Sequence, residues 1–198
     1  PHEKNKIFTF GSFNNFKKIS DETIETWSSI LQNVSNSKLI LKSSIFCDDT
    51  ILFNKFKKNG VENKIEILDK VNFRNKKDHL DLYKKIDLAL DTFPYNGVTT
   101  TFESLWMNVP VIVLKGYNFN SRCGESIIAN TEINYLIALT KQEYIQKAIF
   151  LSKNVTKLIE IRKKLYDKVL STPLFNTQGF AKDFSNSLLK IFYGKNLN

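Results

Sequence analysis

The chain has 198 residues, 42% of them hydrophobic, enough to build the core of one domain or of one lobe of a two-lobed enzyme. No apolar run approaches the roughly 18 residues of a membrane span, and PHEKNKIFTF lacks the apolar stretch of a signal peptide, so membrane association is excluded and a cytoplasmic location expected. The net charge of +9 rests on 26 Lys and only 3 Arg scattered among acids, which describes a solvated surface and argues against nucleic-acid readout, where the planar Arg fork is preferred.

Cys47 and Cys123 have no metal-ligand spacing and form no disulfide framework, so both are expected to be buried reduced thiols. Taken in order, KIFTFGS (Lys6 to Ser12) reads as a first strand running into the polar loop FNNFKK, which leaves Lys17 and Lys18 just past a strand end. Ser20 or Asp21 caps a helix with Ile24, Trp27, Leu31 and Val34 on one face. KLILKS is the second strand. A mostly polar helix from about Asp48 to Asn59 stops at Gly60, and KIEIL supplies the third strand. Lys70 to Lys77 reads as a charged loop. Helical spacing returns from about Lys76 to Ile86 through Leu80, Leu82, Tyr83 and Ile86, with Lys76 and His79 on one face near its start.

Most of the chemistry sits between Ile86 and Leu114. IDLALD and VPVIVL have the length and composition of buried parallel strands. Between them PYNGVTTT carries an Asn96-Gly97 turn and three threonines, and Thr100-x-x-Glu103 reads as a capping box opening a helix. A helix that starts beyond a strand's carboxyl end aims free N–H groups and a positive dipole end into the crevice, where phosphate binds. Two readings stay open here. Either Thr99, Thr100 and Thr101 only cap the helix, or they form a phosphate cradle, which uses several hydroxyls where a cap needs one.

Beyond VPVIVL, LKGYNFNSRCGES opens another helix with Ser121, Arg122 and Gly124 at its start; Arg122 is a candidate for contact with phosphate or an acceptor peptide, or a surface ion-pair partner. Asn134 to Ala138 is a candidate sixth strand. From Lys141 the chain is helical, with an apolar stripe of Val155, Leu158, Ile159, Leu165, Tyr166, Val169 and Leu170, a break at STPLFNT, and a last helix carrying Phe180, Phe184, Leu188 and Phe192 as core or docking surface.

Strands alternating with helices predict an α/β fold, a Rossmann-like doubly wound parallel sheet of about six strands in the order 3-2-1-4-5-6. Residues 1–153 would form this lobe, and 154–198 would be C-terminal helices completing or bridging it. In that order the topological switch lies between strands one and four, so Lys18 meets Thr99 to Thr101 at a site for an anionic nucleotide or phosphate. The first strand is followed by no G-x-G-x-x-G and the chain has no P-loop, which argues against a dinucleotide oxidoreductase and a P-loop phosphotransferase.

FGSFNNFKKISDETIETWSSIL, DTFPYNGVTTTFESLWMNVPV, SRCGES and STPLFNT, in this order and spacing, resemble the C-terminal catalytic lobe of the O-GlcNAc transferase and SPINDLY family, from about Lys6 to Tyr193. The resemblance implies one lobe of a GT-B glycosyltransferase, inverting and without metal or other cofactor, which moves a sugar to Ser or Thr hydroxyls of an acceptor protein. UDP-GlcNAc is the favoured donor, GDP-fucose the alternative, and a non-catalytic nucleotide- or protein-binding module the alternative of another class.

By the same resemblance Lys18 is the catalytic residue that neutralises the diphosphate. Thr99 and Thr100 donate to it, and Glu103 accepts from the ribose hydroxyls. Lys76 and His79 lie around the nucleoside, and Asn15 falls where a glutamine contacts the donor; Gly97 and Thr101 complete the donor-binding set. Val98 stands where the O-GlcNAc enzymes carry a histidine and Leu82 where they carry a basic residue, while DTFPY is closer to the SPINDLY side, whose donor is GDP-fucose. The family's tetratricopeptide repeats and N-terminal catalytic lobe are not in this sequence and become expected partners, so a bacterial fragment that binds donor but transfers poorly alone is implied.

Overall fold

The computed structural model describes residues 2, 6–42, 48–68 and 76–194, with the side chain of Lys76 outside the described set. β1 (Phe8–Ser12) is buried along its whole length, as coverage on both faces requires of a central parallel strand. It pairs in parallel with β2 (Ser37–Lys42) on one side and β4 (Leu88–Leu90) on the other, Phe10 lying opposite both Leu39 and Leu88. β3 (Ile65–Leu68) continues the sheet beyond β2. β5 (Val111–Leu114) and β6 (Ile137–Ala138) extend it beyond β4, giving the order β3-β2-β1-β4-β5-β6. The expected doubly wound sheet therefore forms, with its switch between β1 and β4.

Local chemistry explains the helix starts. α1 (Asp21–Asn33) begins after Ser20, whose Oγ accepts the Thr23 N–H at 3.1 Å, which settles the choice between Ser20 and Asp21. Ile24, Trp27 and Leu31 of its inner face are buried in the core, as is Val34 just past its end. α2 (Asp49–Lys58) is capped by Asp48 Oδ1 on the Thr50 N–H at 2.8 Å, and Gly60 follows its end at φ 69°, a left-handed conformation that glycine adopts without strain. The helix expected over 76–86 divides into α3 (Lys76–Asp81) and a 3-10 turn, Leu82–Lys85. Most of the charged loop before it, and Cys47, lie outside the described residues.

α4 (Thr99–Trp106) connects β4 to β5, and α5 (Phe119–Ala129) connects β5 to β6. The sixth strand is shorter than expected because Asn134–Leu136 form a 3-10 turn first. α6 (Lys141–Lys153) and α7 (Val155–Ser171) meet at Asn154. α7 buries Leu158, Ile161, Leu165 and Val169 in the same core as the sheet, and its Arg162 Nη2 donates to the Ile86 carbonyl at 3.2 Å. Tyr166 and Leu170 of the expected stripe face solvent instead, because α7 is covered on one side only. α8 (Thr177–Phe192) has no buried residue, so its Phe180, Phe184, Leu188 and Phe192 are not core within the described residues. Among those residues no helix is long and apolar enough to cross a membrane.

Candidate functional site

The chain leaves β1 at Ser12 and immediately makes a 3-10 turn, Phe16–Lys18. Asn15 caps that turn, its Oδ1 accepting the Lys17 N–H at 3.0 Å, and its side chain is exposed. Its neighbour Asn14 is the one that turns inward. Asn14 Nδ2 donates to Asp91 Oδ1 at 3.2 Å, and its Oδ1 accepts from Thr100 Oγ1 at 2.9 Å. Asn15 thus stays at the surface beside Lys18 with its Oδ1 engaged in the cap, while buried Asn14 braces the turn from inside. Lys18 is half-buried, its Nζ donating to the Asn96 carbonyl at 3.0 Å and lying 4.1 Å from the centroid of the Tyr95 ring. One cation thus ties the loop after β1 to the loop after β4.

The loop after β4 is organised by Asp91, which is 1% exposed. Asp91 Oδ1 accepts the N–H groups of Gly97 at 2.7 Å and Thr92 at 2.9 Å, while Oδ2 is buried with no hydrogen-bond partner among the described residues. Burial pushes this carboxyl up to about 7, against the opposing pull of its two backbone donors, Asn14 and the Lys18 charge. Gly97 must be glycine for reasons of space. A Cβ there would stand 2.3 Å from Thr100 Oγ1 and 2.9 Å from both Asn14 Oδ1 and Asp91 Oδ1. Asn96, fully buried, donates to the Thr92 carbonyl at 2.9 Å and accepts the Gly124 N–H at 3.2 Å, so the turn is also fastened to α5.

α4 opens without the expected capping box. Its N-cap is Val98, which has no side-chain acceptor to offer. The three threonines separate by face: Thr99 is exposed, Thr100 Oγ1 bonds Asn14, and buried Thr101 returns its hydroxyl to the Gly97 carbonyl at 3.1 Å. The Thr101 side chain therefore supports the turn from inside rather than facing the crevice. The N–H groups of Thr99, Thr100 and Thr101 precede the first helical bond, Phe102 N–H to the Val98 carbonyl at 3.0 Å, and stand at the positive end of the helix dipole.

Glu103, freed from capping, reaches sideways. Its Oε2 lies 2.8 Å from His79 Nε2 and accepts the Tyr83 hydroxyl at 3.0 Å. Lys42, the last residue of β2, places Nζ 3.3 Å from His79 Nδ1. Burial raises the Glu103 carboxyl, but the hydrogen bond and charge of His79, the Tyr83 hydroxyl and the Lys42 charge together outweigh it and hold the group below the usual carboxylate range. Burial lowers the Lys42 ammonium, with the Glu103 charge working against that shift. Lys42, His79, Glu103 and Tyr83 thus form a second polar cluster on the flank of α4.

Lys76 begins α3, but its side chain lies outside the described residues. Arg122 is an exposed surface cation on α5, its Nε donating to Glu125 Oε2 at 2.8 Å, and Lys115 pairs with the same carboxylate at 2.8 Å. The α5 N-terminus is closed by a reciprocal Asn118–Ser121 capping box, which occupies the Ser121 hydroxyl. Cys123 is a free thiol, half-buried rather than buried, with Sγ 3.2 Å from the Phe119 carbonyl. Among the described residues no group of three or more His, Cys, Asp or Glu side chains could hold a metal ion. Asn14, Lys42, Tyr83 and Asp91 were not singled out as site residues from the sequence. Lys42 and Asp91 did carry a signal, as polar residues closing apolar strands.

The profile of Glycosyl transferase family 41 matches residues 3–184. The chain belongs to glycosyltransferase family 41. It is 36% identical over 185 residues to the "Probable UDP-N-acetylglucosamine--peptide N-acetylglucosaminyltransferase SPINDLY" of Arabidopsis thaliana, a match covering 91% of this chain and 20% of that protein. It is 31% identical over 186 residues to the SEC protein of the same plant, covering 93% of this chain and 19% of the relative. The chain therefore spans about one-fifth of the curated relatives it matches. Among solved structures, an O-GlcNAc transferase mutant from Thermobaculum terrenum superposes with a TM-score of 0.85 at 29% identity, over 93% of this chain and 36% of that one. The C-terminal domain of a group 1 glycosyltransferase from Francisella tularensis shares the fold, with a TM-score of 0.64 at 18% identity over 85% of this chain and 89% of that one. The family 41 lobe thus has the Rossmann-like half of a GT-B enzyme, as its sequence led us to expect.

Proposed function

We propose that this family 41 lobe binds the nucleotide-sugar donor of a protein O-glycosyltransferase, with the diphosphate between Lys18 and the first turn of α4 and the ribose against Glu103. The observation that carries the reading is the meeting of Lys18, Asn14 and the Gly97–Thr100 turn at the switch between β1 and β4. Three N–H groups and one ammonium gather there around a turn that Asp91 holds from below. UDP-GlcNAc is the favoured donor, supported by the names of the SPINDLY and SEC relatives, with GDP-fucose as its competitor and a Ser or Thr hydroxyl as acceptor.

In the transfer the acceptor oxygen forms a bond to the anomeric carbon as the bond from that carbon to the phosphate oxygen breaks, with inversion and loss of the hydroxyl proton. Negative charge then grows on the departing diphosphate. Lys18 and the α4 N-terminus stabilise it without metal, and because the turn is already fastened they need no reorganisation when the charge appears. Loss of one such donor costs about 10²–10³ in kcat where it has been measured in other enzymes. Acceptor binding and proton removal fall to the lobe and repeats outside this chain.

A thermal-shift titration with UDP, GDP, UDP-GlcNAc and GDP-fucose tests the reading. A ligand at 100 times its dissociation constant stabilises by about 2.7 kcal/mol. A shift with one nucleotide family names the base, and no shift with any of the four refutes the donor site.

A further inference from the structure

The Tyr83 hydroxyl stands where the two halves of the site join. It lies 3.0 Å from Glu103 Oε2 and 3.1 Å from the carbonyl of Thr100, so one hydroxyl touches both the Glu103 carboxylate and the backbone of the first turn of α4. The ring is 2% exposed and wedged edge-on against Phe13, with centroids 4.8 Å apart, and against His79 at 5.9 Å. Its position is therefore fixed by packing from the β1 loop and from α3. Among the described residues, both hydrogen bonds of Glu103 fall on Oε2, from His79 and Tyr83, which sets the plane of the carboxylate and leaves Oε1 as the oxygen available to a ligand.

We infer that Tyr83 is a positioning residue for ribose recognition: its hydroxyl, with His79, aims Glu103 Oε1 at the ribose diol and keeps it in register with the phosphate-binding turn. The inference rests on the donor-site reading above. Burial, then the charge and hydrogen bond of Glu103, push the phenol above its ordinary range, so the hydroxyl stays a donor at every pH the enzyme meets. A second acceptor, the Thr100 carbonyl, keeps that hydroxyl satisfied whenever ligand draws Glu103 slightly away. Geometry of this kind discriminates ribose from a sugar lacking its hydroxyls, because a carboxylate fixed for two hydroxyls is left unpaired by a ligand without them.

The test is calorimetric binding of UDP, GDP, their 2′,3′-dideoxy counterparts and inorganic pyrophosphate to the full chain and to Tyr83→Phe, which removes one oxygen and keeps the ring contacts. For whichever base binds, we expect affinity for the ribonucleotide to fall about five- to tenfold, on the scale of an ordinary hydrogen bond, since the lost bond acts on the ligand only through Glu103. The dideoxynucleotide and pyrophosphate should stay within about twofold, so the ribo-to-dideoxy preference shrinks. An unchanged preference overturns the inference, as does an equal loss for pyrophosphate, which is the mark of a merely structural role. Should Tyr83→Phe fail to fold, 3-fluorotyrosine at position 83 keeps ring and hydroxyl while strengthening the donor, and a ribo-to-dideoxy ratio that does not move overturns the inference. If the unsubstituted chain binds no nucleoside diphosphate, the donor reading fails and the inference falls with it; if it binds and only the ratio test fails, the donor reading stands.

Discussion

Replacing Gly97 by Ala asks whether the turn below the phosphate site is shaped by space. The added methyl would meet Thr100 Oγ1 at 2.3 Å, Asn14 Oδ1 at 2.9 Å and Asp91 Oδ1 at 2.9 Å. Thr100 can rotate away, at the cost of its 2.9 Å bond to Asn14. Asn14 and Asp91 are buried and bonded to each other and cannot both yield. Overpacking of this kind costs about 1–3 kcal/mol. The loss of chain entropy in the unfolded state returns about 0.4–1 kcal/mol of it. A net loss near 1–2 kcal/mol lowers Tm by roughly 2–8 °C in a chain of this size. The binding loss should be larger in proportion, about tenfold or more for UDP or GDP, since the methyl also drives the Gly97 N–H off Asp91 and tilts the first turn of α4. Gly60→Ala is the control: it strains a left-handed residue at φ 69°, costing about 1–2 kcal/mol, with nothing within 4 Å of the new methyl. Calorimetry on both variants decides the matter. Full-strength nucleotide binding by Gly97→Ala, or an equal loss in Gly60→Ala, would refute the argument.

Lys18→Ala should weaken nucleoside diphosphate binding at least about tenfold while leaving nucleoside binding nearly unchanged and lowering Tm by only about 2–4 °C, since the half-buried ammonium gives up its bond to the Asn96 carbonyl and its contact with the Tyr95 ring; equal affinity for UDP or GDP before and after removes Lys18 from the site. Asp91→Asn keeps an acceptor for the Gly97 N–H but cannot ionise. Because the folded Asp91 carboxyl is raised to about 7 from 3.8, the folded state keeps a proton the unfolded state has lost, so stability declines as pH rises between those values and is level above them. Urea unfolding at pH 5 and pH 8 should show that decline in the parent and lose it in the variant; parallel profiles would contradict the burial argument. Glu103 has the opposite sign: its folded pKa lies below the ordinary 4.5, so its contribution is present above that value and is lost as pH falls through the folded one. Glu103→Ala should flatten this acid limb and weaken ribonucleotide binding more than pyrophosphate binding, and an equal loss for both ligands would count against its ribose role.

What the sequence determined by itself was local in origin. Ser20 and Asp48 start helices and Gly60 stops one with groups a few residues away, and apolar runs such as LILK and VIVL must be buried wherever the chain goes. From those elements the alternation of strand and helix fixed the sheet order and so the crevice. Local spacing failed where side chains had a choice of partner. Thr100-x-x-Glu103 has the form of a capping box, but Glu103 finds His79 and Tyr83, 24 and 20 positions away, in a setting where a charged hydrogen bond is stronger than an exposed cap. Asn14 and Asn15 are the same residue type side by side, and only the arrival of Thr100, 86 positions later, draws Asn14 inward while Asn15 stays at the surface as a cap. Threonines 99 to 101 look alike in the sequence and point three ways in the fold, because consecutive helical residues diverge by about 100° and the sheet covers one of those directions. The partners of a side chain depend on chain segments that meet only after the sheet has formed, and that meeting is a property of the tertiary structure alone.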